Sequence, residues 1–467
     1  MTYRYNSVVD FIRKRIEAGT LRVGDRLPSI RQLSLMTGFS TVTVHHGYEL
    51  LESQGYCSAR PRSGFYLTRV PPQAGDFPND PEGSAEPVVL EEFPQALLLA
   101  TQKKALQAFG SPHPSADLYD CTDLDRSLRR VLRGGPRGRS DAAEGDADLR
   151  MQIAKRSAQR GIFSRYQTVV VTNSAMQAFN LCLDAFTNPN DVILVESPSY
   201  FPTLSGIKRR NLRVVEIFSH PRTGTDPDQF EHLVRNNSIQ VALLMANHHF
   251  PTGVTYSEDA LRRIVKAAQK HGVTIIENDM LGELTYSRSN APSLKQFDTD
   301  DTVLQFSSFE YSLAPEYGIG WVIAGKHAKL LLAASYLGGY VTHDWRVQRA
   351  VADHLSSRSQ DRNLRQLRDT LSQRMERGLQ LLADALPGDC SVTRPTGGFT
   401  CWVRAPQRFS SSEAVAALHR RDTGILPGPV FSAANSFDNF FALNLSFPWS
   451  EDNEARLGYI GEMIARA

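Results

Sequence analysis

The chain has 467 residues, of which 41% are hydrophobic and 22% are charged, a composition typical of a soluble globular protein. This length exceeds what one ordinary hydrophobic core serves, so it predicts two or three domains. No apolar run approaches the roughly 20 residues that a membrane span needs, and the first residues lack the apolar core of a signal peptide. We therefore expect a cytoplasmic protein with no membrane partner.

The net charge of +2 is distributed unevenly along the chain. Residues 1–70 carry ten Lys and Arg against five Asp and Glu, whereas residues 71–100 carry no basic residue and six acidic ones. A basic segment followed by an acidic one predicts a polyanion-binding module tethered to a separate body. The five cysteines are scattered without metal-ligand spacing, which predicts structural thiols and no metal site.

The basic segment begins with residue patterns that predict helices. Apolar residues at helical spacing predict a first helix over residues 7–19. Ser29 followed by Gln32 predicts a capping box at the start of a second, short helix. Gly38 marks a turn, and Ser40 is suited to cap a third helix. The third helix places three apolar side chains on its inward face, namely Val44, Tyr48 and Leu51.

Two short helices joined by a glycine-containing turn are the pattern of a helix-turn-helix. The polar and apolar alternation that follows predicts a two-stranded wing. The run resembles the winged helix of the GntR regulator family in GDRLPSIR (24–31), GFSTVTV (38–44) and RSGFY (62–66). The resemblance implies double-stranded DNA as a partner. It also implies the DNA-facing positions, which are Ser29, Arg31, Ser40, Thr41, Thr43, Arg60, Arg62, Ser63 and Gly64.

The third helix departs from the family at one position. Many members place Arg or Lys where Thr41 stands, so this helix offers hydroxyl and methyl groups to the major groove instead of a guanidinium. We expect His45 and His46 to be exposed residues of the same helix rather than base contacts.

Residues 70–92 predict an extended or mobile linker. They contain five prolines and several acids but no Lys or Arg. The linker separates a DNA-binding domain over residues 1–69 from a body over residues 93–467.

The body alternates helical patterns with short apolar strands, which predicts an α/β fold with a mainly parallel sheet. Ligands in such sheets bind near the carboxyl ends of the strands. The predicted strands lie at 168–172, 191–197, 241–246 and 273–279.

The residues near these strands resemble the fold-type-I aminotransferases, which bind pyridoxal phosphate. The matching segments are 172–181, 195–204, 248–257, 275–284, 307–321 and 427–451. With the winged helix in front, the chain resembles a MocR-type regulator of the GntR family. The resemblance implies a small subdomain at about 350–467 and a head-to-tail homodimer in which each DNA module rests on the partner.

The same resemblance predicts that the cofactor site has lost its reactive groups. The stretch SSFEYSLAPEYGIGW (307–321) places Tyr311 at the family's cofactor lysine and Gly318 at its phosphate-binding arginine. In FFALNLSFPW (440–449), Ala442 occupies the place of the arginine that binds a substrate carboxylate. Since a phenol cannot form an imine, we expect no covalently held cofactor. Glu310 and Glu316 add negative charge that opposes phosphate binding.

Other positions of the site are less specific. Either Asn278 or Asp279 corresponds to the family's acid for the pyridine nitrogen. Tyr200 is suited either to stack on a planar ligand or to a structural role. The complete vestigial pocket implied by the resemblance is Ala175, Met176, Tyr200, Asn278, Asp279, Ser308, Tyr311, Gly318 and Ala442.

The favoured hypothesis is a transcriptional regulator without enzymatic activity, catalytic residues or a cofactor, whose body serves dimerisation or binds an unknown effector. One alternative is a regulator that responds to pyridoxal phosphate, or an active aminotransferase with an appended DNA module. The lysines nearest in sequence are Lys295, Lys326 and Lys329. In another alternative, a remodelled pocket binds some other small molecule through Tyr200, Phe250, Asp279 and Tyr311.

Overall fold

A computed structural model describes most of the chain, which divides into two compact units, Met1–Gly75 and Asp76–Ala467. The described residues are 8–9, 11–12, 15, 21, 25–53, 57–60, 64–68, 85–87, 109–134, 143–287, 290–339 and 344–467. Arg62, Ser63 and most of the predicted linker lie outside these ranges.

The amino-terminal unit contains the predicted helix-turn-helix. Helix α1 covers Ile30–Thr37 and helix α2 covers Thr41–Ser53. The capping box before α1 is confirmed, because Ser29 Oγ accepts from the backbone N of Gln32 at 3.3 Å while Gln32 Oε1 accepts from Ser29 N at 2.9 Å. Gly38 ends α1 with a φ of 73°, a left-handed conformation that glycine adopts without strain. The described residues of the predicted first helix, 8, 9, 11, 12 and 15, are helical.

The predicted wing is also confirmed. Strand β1 (Cys57–Arg60) pairs antiparallel with strand β2 (Gly64–Leu67). Tyr48 of α2 donates from its hydroxyl to the carbonyl of Pro28 at 2.6 Å. The core of this unit includes the three residues expected to face inward from α2 and further apolar side chains, namely Val8, Val9, Ile12, Leu27, Leu33, Val44, Tyr48, Leu51, Cys57 and Leu67.

The larger unit is built on a central sheet of nine strands within the described residues. These strands are β3 (Glu86–Pro87), β4 (Val169–Thr172), β5 (Val192–Ser197), β6 (Arg213–His220), β7 (Gly224–Thr225), β8 (Ile239–Leu244), β9 (Thr274–Asn278), β10 (Val303–Ser308) and β11 (Gly320–Ile323). Their order is β3-β6-β5-β8-β9-β10-β11-β4, with β7 paired to β6. The β6-β5-β8-β9-β10 pairs are parallel, and the outer pairs are antiparallel. The predicted mainly parallel sheet is therefore confirmed.

Helices cover this sheet. Every residue of β4, β10 and β11 is buried, as expected for strands packed on both faces. Within the described residues, the helices of the larger unit are α3 (Thr122–Arg133), α4 (Ala147–Gln159), α5 (Ala175–Phe186), α6 (Phe201–Arg209), α7 (Pro227–Asn236), α8 (Glu258–His271), α9 (Ala328–Leu337), α10 (Trp345–Leu355), α11 (Arg358–Ala385), α12 (Ser411–His419) and α13 (Glu451–Arg466).

A second, antiparallel sheet forms near the carboxyl terminus. Its strands are β12 (Ser391–Val392), β13 (Thr400–Arg404), β14 (Leu426–Pro427) and β15 (Phe440–Asn444), in the order β12-β13-β15-β14. Side chains of this sheet share a core with α11, α12 and α13.

The described part of the predicted linker differs from the prediction. Glu86 and Pro87 pair with Val214 and Arg213 as an antiparallel edge strand of the central sheet. The guanidinium of Arg213 also donates to the carbonyl of Ala85 at 2.7 Å. Proline is compatible with this position because an edge strand leaves one side of its backbone unpaired. Residues 85–87 thus belong to the body and are not a free linker.

The five cysteines are all free thiols. Across the described ranges, no helix combines the length and the apolar character needed to cross a membrane. Within those same ranges, no group of three or more His, Cys, Asp or Glu residues is arranged to hold a metal ion.

Candidate functional sites

The first turn of α2 presents small side chains to solvent. Ser40 caps the helix, since its Oγ accepts from the backbone N of Thr43 at 3.2 Å and lies 2.9 Å from Thr43 Oγ1. Thr41 is exposed and Val42 is 64% exposed, whereas Thr43 is half-buried. The groups available to a ligand on this turn are therefore mainly a hydroxyl and methyl groups.

The next turn of α2 carries both histidines on its exposed face. His45 Nδ1 lies 3.3 Å from a carboxylate oxygen of Glu49, and His46 Nε2 lies 3.9 Å from the other. The predicted exposure of these histidines is confirmed.

Other predicted DNA-facing positions in the described ranges are also exposed, namely Ser29, Arg31, Ser40, Arg60 and Gly64. The guanidinium of Arg60 lies over the ring of Tyr66, 4.4 Å from its centre, which orients the arginine at the end of β1. Gly64 has a φ of 101°, which favours glycine at the start of β2.

In the larger unit, Tyr311 lies in the segment that follows β10 and is buried. Its hydroxyl is 3.3 Å from Nδ1 of His113 and 3.5 Å from the carbonyl oxygen of Pro112. The hydroxyl of Tyr119 donates to the backbone carbonyl of Tyr311 at 3.2 Å. Burial raises the pKa of the Tyr311 phenol, and the neighbouring Tyr200 adds to the shift, so the phenol stays protonated.

Tyr311 is one of four aromatic residues packed together, which we call the aromatic cluster: Tyr200, Phe250, Tyr311 and Phe399. Ring centres are 5.2 Å apart for Tyr200 and Phe250, 6.0 Å for Phe250 and Phe399, and 5.5 Å for Phe399 and Tyr311. Two of the three ring pairs are edge-to-face, the favoured geometry of aromatic pairs.

The amino terminus of α5 is capped by its own side chains. Ser174 Oγ accepts from the backbone N of Gln177 at 3.1 Å, and Gln177 Oε1 accepts from Asn173 N at 2.6 Å. At Gly318, a Cβ atom would lie 2.9 Å from the carbonyl oxygen of Asn173. Any side chain at position 318 would therefore require this backbone to shift.

The remaining members of the predicted pocket have local partners or are buried. Ala175 is buried, and Met176 is half-buried. Ser308 is buried and its Oγ accepts from the backbone N of Glu310 at 3.3 Å. Ala442 is completely buried in β15, between β13 and β14.

Asp279 follows β9 and forms a buried ion pair with Arg160, which follows α4. Arg160 Nη1 lies 2.5 Å from one carboxylate oxygen and Nη2 lies 2.9 Å from the other, with the two side chains 10% and 1% exposed. Burial lowers the pKa of Arg160, but Asp279 more than offsets this effect and raises it above its usual value. Asn247 Nδ2 also donates to Asp279, at 3.1 Å. Asn278 Oδ1 accepts from the backbone N of Met280 at 3.1 Å.

Lys295, one of the three lysines considered above, has other partners. It is buried, and its Nζ donates to Asp298 at 2.8 Å and to the carbonyl of Val303 at 2.7 Å. Lys326 Nζ donates to the carbonyl of Asp300 at 2.5 Å.

Glu196, the penultimate residue of β5, belongs to a buried polar network that the sequence did not reveal. Its carboxylate accepts from the hydroxyl of Tyr256, from Thr225 Oγ1 at 3.2 Å and from Met245 N at 2.5 Å. His249 Nε2 lies 3.7 Å away. Burial raises the pKa of Glu196 to about 7 and lowers that of His249 to about 3, so the histidine is neutral.

Sequence reasoning also missed Arg160, Asn247, His113 and Phe399. The one available signal was Asp279 itself, because a carboxylate that follows a buried strand requires a partner. Nothing in the sequence indicated that the partner would be Arg160, 119 residues away.

The two units together define a class of protein in which a winged helix-turn-helix precedes a body with the aminotransferase fold. Residues 4–67 match the family "Bacterial regulatory proteins, gntR family", and residues 112–436 match "Aminotransferase class I and II". The chain belongs to the GntR regulators that carry an aminotransferase class I and II domain, the MocR-type architecture.

Relatives share this arrangement over their full length. The chain is 32% identical over 466 residues to the uncharacterized HTH-type transcriptional regulator YdcR of Escherichia coli, with 99% of each chain covered. It is 28% identical over 469 residues to YjiR of the same organism, an uncharacterized HTH-type transcriptional regulator, again with 99% of each covered.

Solved structures confirm the fold of the body. The multiple substrate aminotransferase of Thermococcus profundus superposes with a TM-score of 0.72 at 20% identity. The match covers 81% of this chain and 96% of the aminotransferase.

Proposed function

We propose that this chain is a DNA-binding transcriptional regulator whose aminotransferase-like domain does not hold pyridoxal phosphate as an imine and has no aminotransferase activity. In this proposal the domain serves dimerisation or senses an effector that binds without a covalent bond. The family assignment supports the regulatory role. One observation supports the rest, namely a buried tyrosine at position 311.

The winged helix supports DNA binding because it presents exposed residues suited to phosphate contacts and others suited to base contacts. Arg31 and Arg60 are exposed cations suited to phosphate contacts. Thr41 and Val42, on the first turn of α2, are suited to contact base edges in the major groove. A head-to-tail homodimer would present two such units, so we expect an operator with paired half-sites.

The surroundings of Tyr311 argue against an imine at this position. A phenol has no amine to condense with an aldehyde. Its hydroxyl lies 3.3 Å from His113 Nδ1, and its ring packs against Phe399. Lys295 is held by Asp298 and the carbonyl of Val303.

The features that would bind the phosphate and ring of the cofactor do not fit pyridoxal phosphate either. Gly318 lies where an arginine side chain would collide with the carbonyl of Asn173. Ser174 and Gln177 already bond to amides at the start of α5 that an anion would otherwise use. Asp279 is committed to Arg160 and Asn247. These contacts support the proposal that the domain keeps the aminotransferase fold and does not bind pyridoxal phosphate.

The proposal is tested by incubating the purified chain with pyridoxal phosphate and recording the absorbance spectrum. We expect no internal-aldimine band, and after borohydride reduction we expect no lysine that carries the phosphopyridoxyl group. A stable yellow complex trapped on a lysine, or amino-acid-dependent transamination at steady state, would favour the alternative of a cofactor-binding regulator or an enzyme.

A Tyr311→Lys variant is the matched control. It supplies an amine at the aligned position, so we expect a weak adduct that borohydride traps at residue 311. The adduct should be weak because the variant still lacks a cation at Gly318. No adduct at residue 311 would contradict the assignment of this position.

DNA binding is tested separately with an operator selected from random duplexes by the full-length chain. Arg31→Ala should weaken binding to all sequences and reduce its dependence on salt. Sedimentation of the free chain and of its complex tests the homodimer. Failure to select any sequence, or a monomer on a single half-site, would contradict the proposal.

A further inference from the structure

The segment before helix α1 extends the sheet of the wing. Arg26 and Tyr66 are directly opposite each other in an antiparallel bridge, on the edge of β2 that does not pair with β1. Two backbone hydrogen bonds flank this pair, from Leu27 N to the carbonyl of Phe65 and from Leu67 N to the carbonyl of Asp25, both 2.9 Å. Arg26 therefore lies in register with the wing, although it precedes the helix-turn-helix in the sequence.

The extended sheet has two faces of different character, because directly opposite residues of antiparallel strands point to the same side. One face packs into the core of the amino-terminal unit through Leu27, Cys57, Phe65 and Leu67. We call the opposite side the outer face, and its described residues are Arg26, Ser58, Arg60, Gly64 and Tyr66. None of these five residues is acidic, and both arginines are exposed. The outer face therefore presents positive charge to solvent.

Gly64 leaves room on the outer face for the guanidinium of Arg26. A Cβ atom at position 64 would lie 3.4 Å from Arg26 Nε, 3.5 Å from Nη2 and 3.9 Å from Cζ. A side chain that extends beyond Cβ would compete with the guanidinium for this space. The absence of a side chain at Gly64 thus allows Arg26 to lie across the start of β2.

Arg60 is held on the outer face in a similar way. It is directly opposite Gly64, and its guanidinium lies 4.4 Å from the centre of the Tyr66 ring. Each arginine therefore leans over the β2 residue diagonal to it, Arg26 over Gly64 and Arg60 over Tyr66. Packing positions both guanidinium groups on one face of the wing.

Two positioned arginines on an exposed face suit a phosphodiester backbone. The planar guanidinium matches the geometry of phosphate oxygens, and such contacts fix the position of a protein on duplex DNA. The charge of the whole segment complements that of DNA, because residues 1–70 carry ten Lys and Arg against five Asp and Glu.

We propose that Arg26 binds a phosphate of double-stranded DNA on the outer face of the wing, beside Arg60. The inference rests on the proposed function and deepens it, since Arg26 is not among the DNA-facing positions that the resemblance implies. In the competing interpretation, Arg26 covers Gly64 and has no contact with DNA.

Fluorescence anisotropy of a labelled operator, measured with the full-length chain over a series of salt concentrations, tests the proposal. Arg26→Gln removes the charge and keeps most of the aliphatic stem. We expect about tenfold weaker binding at low salt, and a slope of log affinity against log salt that is shallower by about 1. Arg26→Lys keeps the charge and should keep the slope.

Arg235→Gln is the matched control, because it removes the same charge from an exposed position on α7 of the larger unit. We expect this variant to keep both the affinity and the slope of the wild type. Since Arg26 is exposed, its variants should fold, and circular dichroism verifies this.

Operators with a single uncharged methylphosphonate identify the phosphate that Arg26 contacts. At that phosphate, the replacement should weaken binding of the wild type about tenfold and leave binding of Arg26→Gln nearly unchanged. At other contacted phosphates it should weaken binding of both proteins equally.

A wild-type salt slope in Arg26→Gln would overturn the proposal, even with reduced affinity, because it would indicate a structural role only. The absence of any phosphate whose replacement affects the two proteins differently would overturn it as well. In both cases the wild type still binds its operator, so the proposed function stands. A wild-type chain that selects no operator would overturn the proposed function and the Arg26 contact together.

Discussion

The buried pair of Asp279 and Arg160 allows a quantitative prediction about stability. Asp279→Asn keeps the shape of the side chain and removes its charge. Asn247 can still donate to the remaining side-chain oxygen, but the guanidinium of Arg160 loses its bidentate anionic partner in a site where the two side chains are only 10% and 1% exposed.

Breaking a buried ion pair by removing one partner costs about 3–5 kcal/mol of unfolding free energy, because the other charge stays buried. Glu283 and Glu277 continue to favour the charged form of Arg160. We therefore expect a loss at the lower end, about 3 kcal/mol.

Urea denaturation followed by circular dichroism measures this loss. Asp353→Asn provides the control, because it breaks the pair with Arg130, whose side chains are 32% and 65% exposed. The control should change the unfolding free energy by at most about 1 kcal/mol. The double variant Asp279→Asn/Arg160→Gln should be less destabilised than the sum of its single variants.

A loss below about 1 kcal/mol for Asp279→Asn would refute this reasoning, since it would mean that the charge of Arg160 reaches solvent or another partner. Strict additivity of the two single variants would refute it as well.

Four further predictions concern other parts of the chain. Val42→Ala should weaken binding to a selected operator about fourfold if the valine contacts a thymine methyl, and replacing that thymine by uracil should remove the difference between the two proteins. Ser29→Ala should destabilise the amino-terminal unit by about 1 kcal/mol in denaturation experiments because it removes the capping box, whereas a threonine at this position should retain most of the stability. Burial raises the pKa of Glu196 to about 7 in the folded chain, whereas in the unfolded chain the pKa lies near its ordinary value of 4.5. Between these two pH values the folded chain therefore keeps a proton that the unfolded chain has released. The contribution of Glu196 to the unfolding free energy should therefore decrease as the pH rises from about 4.5 to 7, and the Glu196→Gln variant should lack this dependence. Gly318→Arg should lower the stability by about 1–3 kcal/mol, because its Cβ would meet the carbonyl of Asn173, and an unchanged melting temperature would contradict the close contact.

Local signals explain why much of the fold was predictable. The capping box joins Ser29 to Gln32, three residues apart, so both partners are visible in one short stretch. The wing and the buried strands are likewise marked by alternation, glycine and continuous apolar runs. The edge strand at Glu86 and Pro87 was missed because an acidic, proline-rich segment carries no pattern that indicates its pairing with β6.

The candidate site was likewise predictable only in part. Its chemistry is readable from residue types, since Tyr311 cannot form an imine in any surroundings. Its geometry is not readable, because Tyr311 meets His113 from 198 residues away. The sequence left open whether Asn278 or Asp279 corresponds to the acid for the pyridine nitrogen. The structure adds their partners, since Asp279 pairs with Arg160 and Asn278 Oδ1 accepts from the backbone N of Met280.

The sequence by itself therefore determined the two-domain architecture, the helix-turn-helix with its caps, and the residue types present at the aligned cofactor positions. These features depend on interactions between near neighbours or on the chemistry of single side chains. Only the tertiary structure decided that Asp279 pairs with Arg160, that Tyr311 packs into one cluster with three other aromatic rings, and that His113 lies beside Glu310. Such contacts join residues that are distant in the sequence, 119 residues apart for Arg160 and Asp279, and their energies depend on burial that no local pattern specifies.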